Sequence, residues 1–210
     1  MALASSKSLF LHIPKTGGMW IRHAYKVSNI DHFEIAMTHS HFPHLLNYKP
    51  KSFYSSLYSY AFVRHPLSWY QSRWAFRMRY GWNATHPLDY NCYSNDFTKF
   101  VEACLAYKPS GWVTNEYTSF IDEVPGGIKQ VGRLENLIDD FLQICDNAGE
   151  RISSRIVTAM PRINESDLDG KDSSHWAKYT PSLIDKVLKA EHVVMQRYYS
   201  DVSIDYDDYT

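Results

Sequence analysis

The sequence predicts an α/β fold, a single domain over residues 1–210 with a mostly parallel central sheet flanked by helices. Two observations lead there. Short strand-like runs alternate along the chain with helical patterns, the arrangement that builds a parallel sheet with helices on its faces. At 210 residues with 44% hydrophobic content, the chain is also long enough for one full core.

The elements follow in order. Ser8 to Ile13 reads as a short buried strand, and Gly17 to about Val27 as a helix with Trp20, Ile21, Ala24 and Tyr25 at helical spacing. His32 to Met37 is a second strand. Residues 42–56, with two prolines, form a loop with a weak helical pattern. Leu57 to Val63 is a third strand, after which Pro66 opens a helix reaching about Arg79. Residues 80–94 form an aromatic-rich loop, followed by helices at about 95–107 and 112–121. Pro125-Gly126-Gly127 is a turn, Ile128 to Leu134 a fourth strand, and Glu135 to about Asn147 a helix stopped by Gly149. Residues 162–179 form a polar loop. Thr180 as N-cap and Pro181 as first helical residue start a last helix to about Tyr199, and the acidic tail 201–210 is peripheral.

A formal charge of −1 excludes a globally basic nucleic-acid binder. Cys92, Cys104 and Cys145 are odd in number and form no CxxC pair, which fits neither a disulfide scaffold nor a zinc knuckle and suits a reducing compartment. No apolar run has the length of a signal peptide or a membrane span, so a soluble, cytoplasmic protein is expected, and the triplets at Asn83 and Asn164 are read as chance glycosylation matches.

The chemistry concentrates where strands hand over to helices. In LFLHIPKTGGMW, residues 9–20, a strand runs through Pro14, Lys15, Thr16, Gly17 and Gly18 into a helix. Backbone N–H groups of residues 16–20 then point outward at a helix N-terminus, where the dipole favours an anion. The glycines let the backbone wrap a phosphate, Lys15 adds a mobile charge and Thr16 a hydroxyl. The order differs from GxxxxGK[ST], because Lys15 precedes the glycines. In AFVRHPLSWYQSRW, residues 61–74, Arg64 ends a strand and Ser72 follows two helical turns later, a fork and a hydroxyl suited to a second phosphate.

Together these stretches resemble the sulfotransferases that use 3′-phosphoadenosine 5′-phosphosulfate (PAPS). PKTGGMW is similar to their 5′-phosphosulfate loop and RHPLSWYQS to their 3′-phosphate motif. GRLENLIDDF, which carries Arg133, resembles the segment flanking the adenine. YTPSLIDKVLKAEHVVMQRYY resembles their closing helix, preceded by a cofactor loop with lysines, here Lys171 and Lys178. The resemblance implies a P-loop NTPase-like sulfotransferase fold and transfer of a sulfuryl group to a hydroxyl, less readily an amine, without a metal. The product would be adenosine 3′,5′-bisphosphate (PAP). Met19 departs from the Ser or Thr of many members, which shifts the 5′-phosphate contact onto backbone amides, Lys15 and Thr16. Trp20 matches the tryptophan that stacks on adenine in the cytosolic branch, and its helical spacing also fits a core residue; both readings stand here.

The transfer needs a base. THSHFPHLL, residues 38–46, offers His39, His41 and His44, and His-x-His resembles the paired histidines of uronyl 2-O-sulfotransferases. His41 is the expected base and His39 its orienting partner or a second proton acceptor, with Glu34 and His44 next in line. A zinc-like reading of the three histidines lacks a nearby carboxylate or thiol. Trp69, Tyr70, Trp74, Phe76, Tyr80 and Trp82, interleaved with Arg73, Arg77 and Arg79, read either as helix core or as a surface for an anionic or saccharide acceptor. The rival functions are a nucleotide kinase-like enzyme, disfavoured by the missing GK[ST], and a catalytically idle nucleotide- or carbohydrate-binding module.

Overall fold

The computed structural model describes residues 2–36, 42–161 and 177–210. In chain order the elements are β1 (Ala2–Ser5), β2 (Ser8–Leu11), α1 (Gly18–Val27), β3 (His32–Ile35), α2 (Phe42–Leu45), α3 (Lys51–Ser55), β4 (Tyr58–Val63), α4 (Pro66–Tyr80), α5 (Pro87–Cys92) and α6 (Phe97–Tyr107). They continue with α7 (Trp112–Ile121), β5 (Gln130–Arg133), α8 (Leu137–Ala148), α9 (Ser154–Thr158), α10 (Pro181–Ala190) and α11 (His192–Tyr198). None of the helices among the described residues is long and apolar enough to cross a membrane. The chain falls into two compact units, Met1–Arg64 with Glu116–Ile163, and His65–Asn115 with Asn164–Thr210.

The first unit holds the whole sheet, in the order β3-β1-β2-β4-β5. The α/β class stands, and the expectation of a mostly parallel sheet is corrected: β2–β4 and β4–β5 pair parallel, whereas β1 is antiparallel to both β2 and β3. The cause is local. Only Ser6 and Lys7 separate β1 from β2, too few for a crossover, so the two strands must fold back as a hairpin. Ser5 Oγ fixes that turn by accepting from the N–H groups of Lys7 and Ser8, each at 2.9 Å.

One face of the sheet, carrying Leu3, Phe10, Tyr60 and Phe62, is covered by α1 through Trp20, Ile21, Ala24 and Tyr25, and by α8 through Phe141, Ile144 and Cys145. These α1 positions form one stripe of a 3.6-residue period, which is why that short helix docks. Burial pushes the Cys145 thiol up to about 12, so it is an inert core group.

The second unit is helical and aromatic. Trp69, Tyr70 and Trp74 of α4 are buried, with Trp74 edge-on to Phe97 at 5.7 Å and Phe97 edge-on to Tyr179 at 4.8 Å. Asp96 caps α6 by accepting from the Lys99 N–H at 3.0 Å, and Thr180 caps α10 by accepting from the Leu183 N–H at 3.2 Å. Residues 80–94 are not all loop, since α5 lies within them. The last helix is broken at Glu191, whose side chain is turned inward and buried. The tail 201–210 is tied back, because the Tyr179 N–H donates to Tyr209 O at 2.9 Å and the Tyr209 ring stacks on His65 at 5.8 Å.

Candidate functional site

The site is built at the carboxyl ends of three strands. β2, β4 and β5 are adjacent and parallel, with Leu11 opposite Ala61 and Val63 opposite Arg133. Each strand ends on a cation: Lys15 in the turn after β2, Arg64 directly after β4, and Arg133 as the last residue of β5. Ligands of open α/β sheets bind at this edge.

The first turn is wound tightly. The Ile13 N–H donates to Leu11 O at 3.1 Å, and the Thr16 hydroxyl donates to Ile13 O at 2.9 Å. Thr16 is fully buried, and its hydroxyl ties the turn. Lys15, at φ 68°, and Gly17, at φ 86°, are both left-handed, a strained arrangement for a lysine and one that clusters at ligand loops. Trp20 and Ile21 N–H groups donate to Gly17 O, at 3.0 and 3.2 Å, so the amides of Gly18 and Met19 precede the first intrahelical bond and face the helix mouth. The first turn of α1 has no acidic residue to compete with an anion.

Gly17 is required by its left-handed backbone, and Gly18 by space. A Cβ on Gly17 would lie 2.8 Å from Leu134 Cδ1, and one on Gly18 would lie 2.0 Å from the ring of His12. Met19 is half-exposed beside them, at 50%.

Arg64 and Arg133 are held by their backbones. The Tyr117 hydroxyl accepts from the Arg64 N–H at 2.9 Å and donates to Arg64 O at 2.8 Å. The Arg133 N–H donates to Asp140 Oδ2 at 2.6 Å. Tyr117, itself buried, was not legible as a site residue, because its partner is distant in sequence.

Other expectations are corrected or fall elsewhere. Trp20 is 4% exposed and meets Phe141 edge-on at 5.5 Å, so it is a core residue and not a platform for adenine. Glu34 is paired with Arg22, which removes it from the reserve of bases. Ser72 and Lys178 belong to the second unit; Ser72 is half-buried on α4, and Lys178 donates to Thr210 O at 3.0 Å. In that unit Arg73 and Arg77 are committed to the buried Asp89, at 2.7 and 2.5 Å, and are not an acceptor surface. Exposed Tyr80 lies against Phe76 at 4.8 Å and Arg79 stacks on it. His65 is neutral at pH 7, because burial pushes its imidazole down to about 4. His39, His41 and Lys171 lie outside the described residues. Among the described residues, no three His, Cys, Asp or Glu side chains gather as a metal site.

Neither a known protein family, nor a curated protein, nor a solved structure matches the chain.

Proposed function

We propose that the protein is a PAPS-dependent sulfotransferase acting on a hydroxyl-bearing acceptor, such as a saccharide. The observation that carries this reading is the cationic edge formed by Lys15, Arg64 and Arg133 at the ends of three neighbouring parallel strands, with a helix N-terminus opening onto it. Such an edge suits a ligand with two separate phosphate groups. The buried Trp20 does not suit the adenine, so the fit rests on the phosphates and not on base stacking.

When bound, PAPS supplies a sulfuryl group whose bond to the 5′-phosphate oxygen breaks as a bond to the acceptor oxygen forms. The loop amides and Lys15 hold the 5′ end, and Lys15 stabilises the negative charge that builds on the departing oxygen. Arg64 holds the 3′-phosphate, and Arg133 adds positive charge at the same edge. His41, assigned from its sequence motif, takes the acceptor proton. An idle nucleotide-binding module would keep the cradle and lack turnover.

The test is thermal stabilisation. PAP at a hundred times its dissociation constant is expected to add about 2.7 kcal/mol, with ATP and Mg²⁺ adding much less. Equal shifts from the two nucleotides would remove the reading. Arg64→Ala is expected to weaken PAP binding by about 1.5–3 kcal/mol in calorimetry while leaving adenosine 5′-phosphosulfate, which lacks the 3′-phosphate, nearly unaffected. Unchanged PAP affinity would make Arg64 a structural residue.

A further inference from the structure

His12 precedes the phosphate loop and has no part in the function argued so far. It stands at the end of β2 and is only 6% exposed. Its imidazole stacks on Phe10 with centroids 5.7 Å apart and planes inclined by 22°. Arg22 of α1 directs its Nε–H at His12 Nδ1, 3.4 Å away, and the same guanidinium is paired with Glu34 of β3. Because Nδ1 accepts, the proton of the neutral ring sits on Nε2.

The Nε2 side of the ring is the side turned to the loop. A Cβ on Gly18 would fall 2.0 Å from His12 Cδ2 and 2.1 Å from Nε2. Gly18 is the first residue of α1, whose amides open onto the anion cradle. Absence of a side chain at residue 18 is therefore what lets a protonated ring nitrogen come against the mouth of the helix. A histidine that only filled space would need neither a fixed tautomer nor an Arg–Glu pair to set it. The pair also balances charge, since Glu34 neutralises the guanidinium beside the ring.

Building on the sulfotransferase reading, we propose that His12 is a further binding residue of the phosphate loop, donating from Nε2 to the 5′-phosphate oxygens, with Arg22 and Glu34 as its positioning residues. His12 acts as a neutral donor of fixed direction at the place where Met19 cannot donate.

The experiment uses the full chain, with PAP as the probe and long-range proton–nitrogen NMR of the histidine rings. The His12 signals are assigned by their loss in His12→Gln. In the free protein Nδ1 is expected at the unprotonated position and Nε2 at the protonated one, and saturating PAP is expected to move the Nε2 signal. In calorimetry, His12→Leu is expected to weaken PAP binding about tenfold or more, the loss of one hydrogen bond to a charged group. His12→Gln, whose amide can still donate, is expected to stay within about threefold of the wild type. PAP binding with an unmoved Nε2 signal, or with unchanged affinity in His12→Leu, overturns the assignment of His12 alone. Absence of PAP binding by the wild-type protein overturns the sulfotransferase reading and this assignment together. Should His12→Leu fail to fold, the wild-type spectra and His12→Gln decide the matter.

Discussion

Glu191→Ala is expected to cost about 4 kcal/mol of stability and to lower the midpoint of thermal unfolding by about 10 °C or more. Glu191 is fully buried between α10 and α11. Its Oε1 accepts from the Tyr70 hydroxyl at 2.7 Å and the Val113 N–H at 3.0 Å. Its Oε2 accepts from the Thr114 N–H at 2.7 Å and the Thr114 hydroxyl at 2.8 Å. The two amides belong to the first turn of α7, where a helix leaves its N–H groups without internal partners. Alanine lets the hydroxyls rotate to other acceptors but strands the amides, at about 1–3 kcal/mol each. About 2–4 °C per kcal/mol then gives the shift in midpoint for a chain of this size. Tryptophan fluorescence is a suitable readout, because Trp69, Trp74, Trp82 and Trp112 all lie in the unit that Glu191 caps.

The same residue carries a pH signature. Burial lifts the Glu191 carboxyl above its ordinary value, against the pull of its four donors. The folded protein thus holds this proton more tightly than the unfolded chain. The stability contributed is complete below the unfolded value and is lost as pH rises through the folded one. Glu191→Gln removes that titration, so the stability difference between wild type and variant is expected to move against the wild type as pH rises from about 4. A difference independent of pH from 4 to 7 would show that the carboxyl is not raised.

His41→Ala is expected to lower turnover by about 10²–10⁴, the usual worth of a positioned general base, while PAP binding changes little. A base facing the acceptor need not touch the bisphosphate. The wild-type rate is expected to rise with pH through an imidazole titration, and the residual rate of the variant to lose that limb. His39→Ala is the control, since His39 is the second candidate for the proton. Loss of turnover in His39→Ala with His41→Ala active would move the base to His39.

How much of this was legible in the sequence depended on how local the physics was. The turn at residues 14–18 could be read because its lysine, glycines and helix opening are consecutive. Arg64 was legible as the end of a strand-like run and Arg133 only through the resemblance of GRLENLIDDF, and the parallel pairing of β2, β4 and β5 brought them to one edge. β1 escaped notice, because Ala2–Ser5 is four small or medium residues with no period to detect, and its pairing depends on the Ser5 hydroxyl in the following turn. The spacing of Trp20 fixed its face of α1 but not what that face meets; Phe141, far along the chain, decided for the core. Glu191 carried no signal in the sequence, because its donors at Tyr70, Val113 and Thr114 are distant along the chain. The Tyr117 clamp on Arg64 was hidden for the same reason.

The division of the sheet-bearing unit into two separated stretches of chain has a consequence for how the protein is made on the ribosome. β1 and β2 can pair almost as soon as they emerge, since two residues join them. β5 cannot dock on β4 until all of residues 65–115 have been synthesised as well. Closing so long a loop is the slow kind of event in folding, because its entropy is lost before any pairing compensates it. Lys15 and Arg64 are therefore in place on the growing chain before Arg133 joins them, and the cationic edge is completed late, when β5 adds the outermost strand.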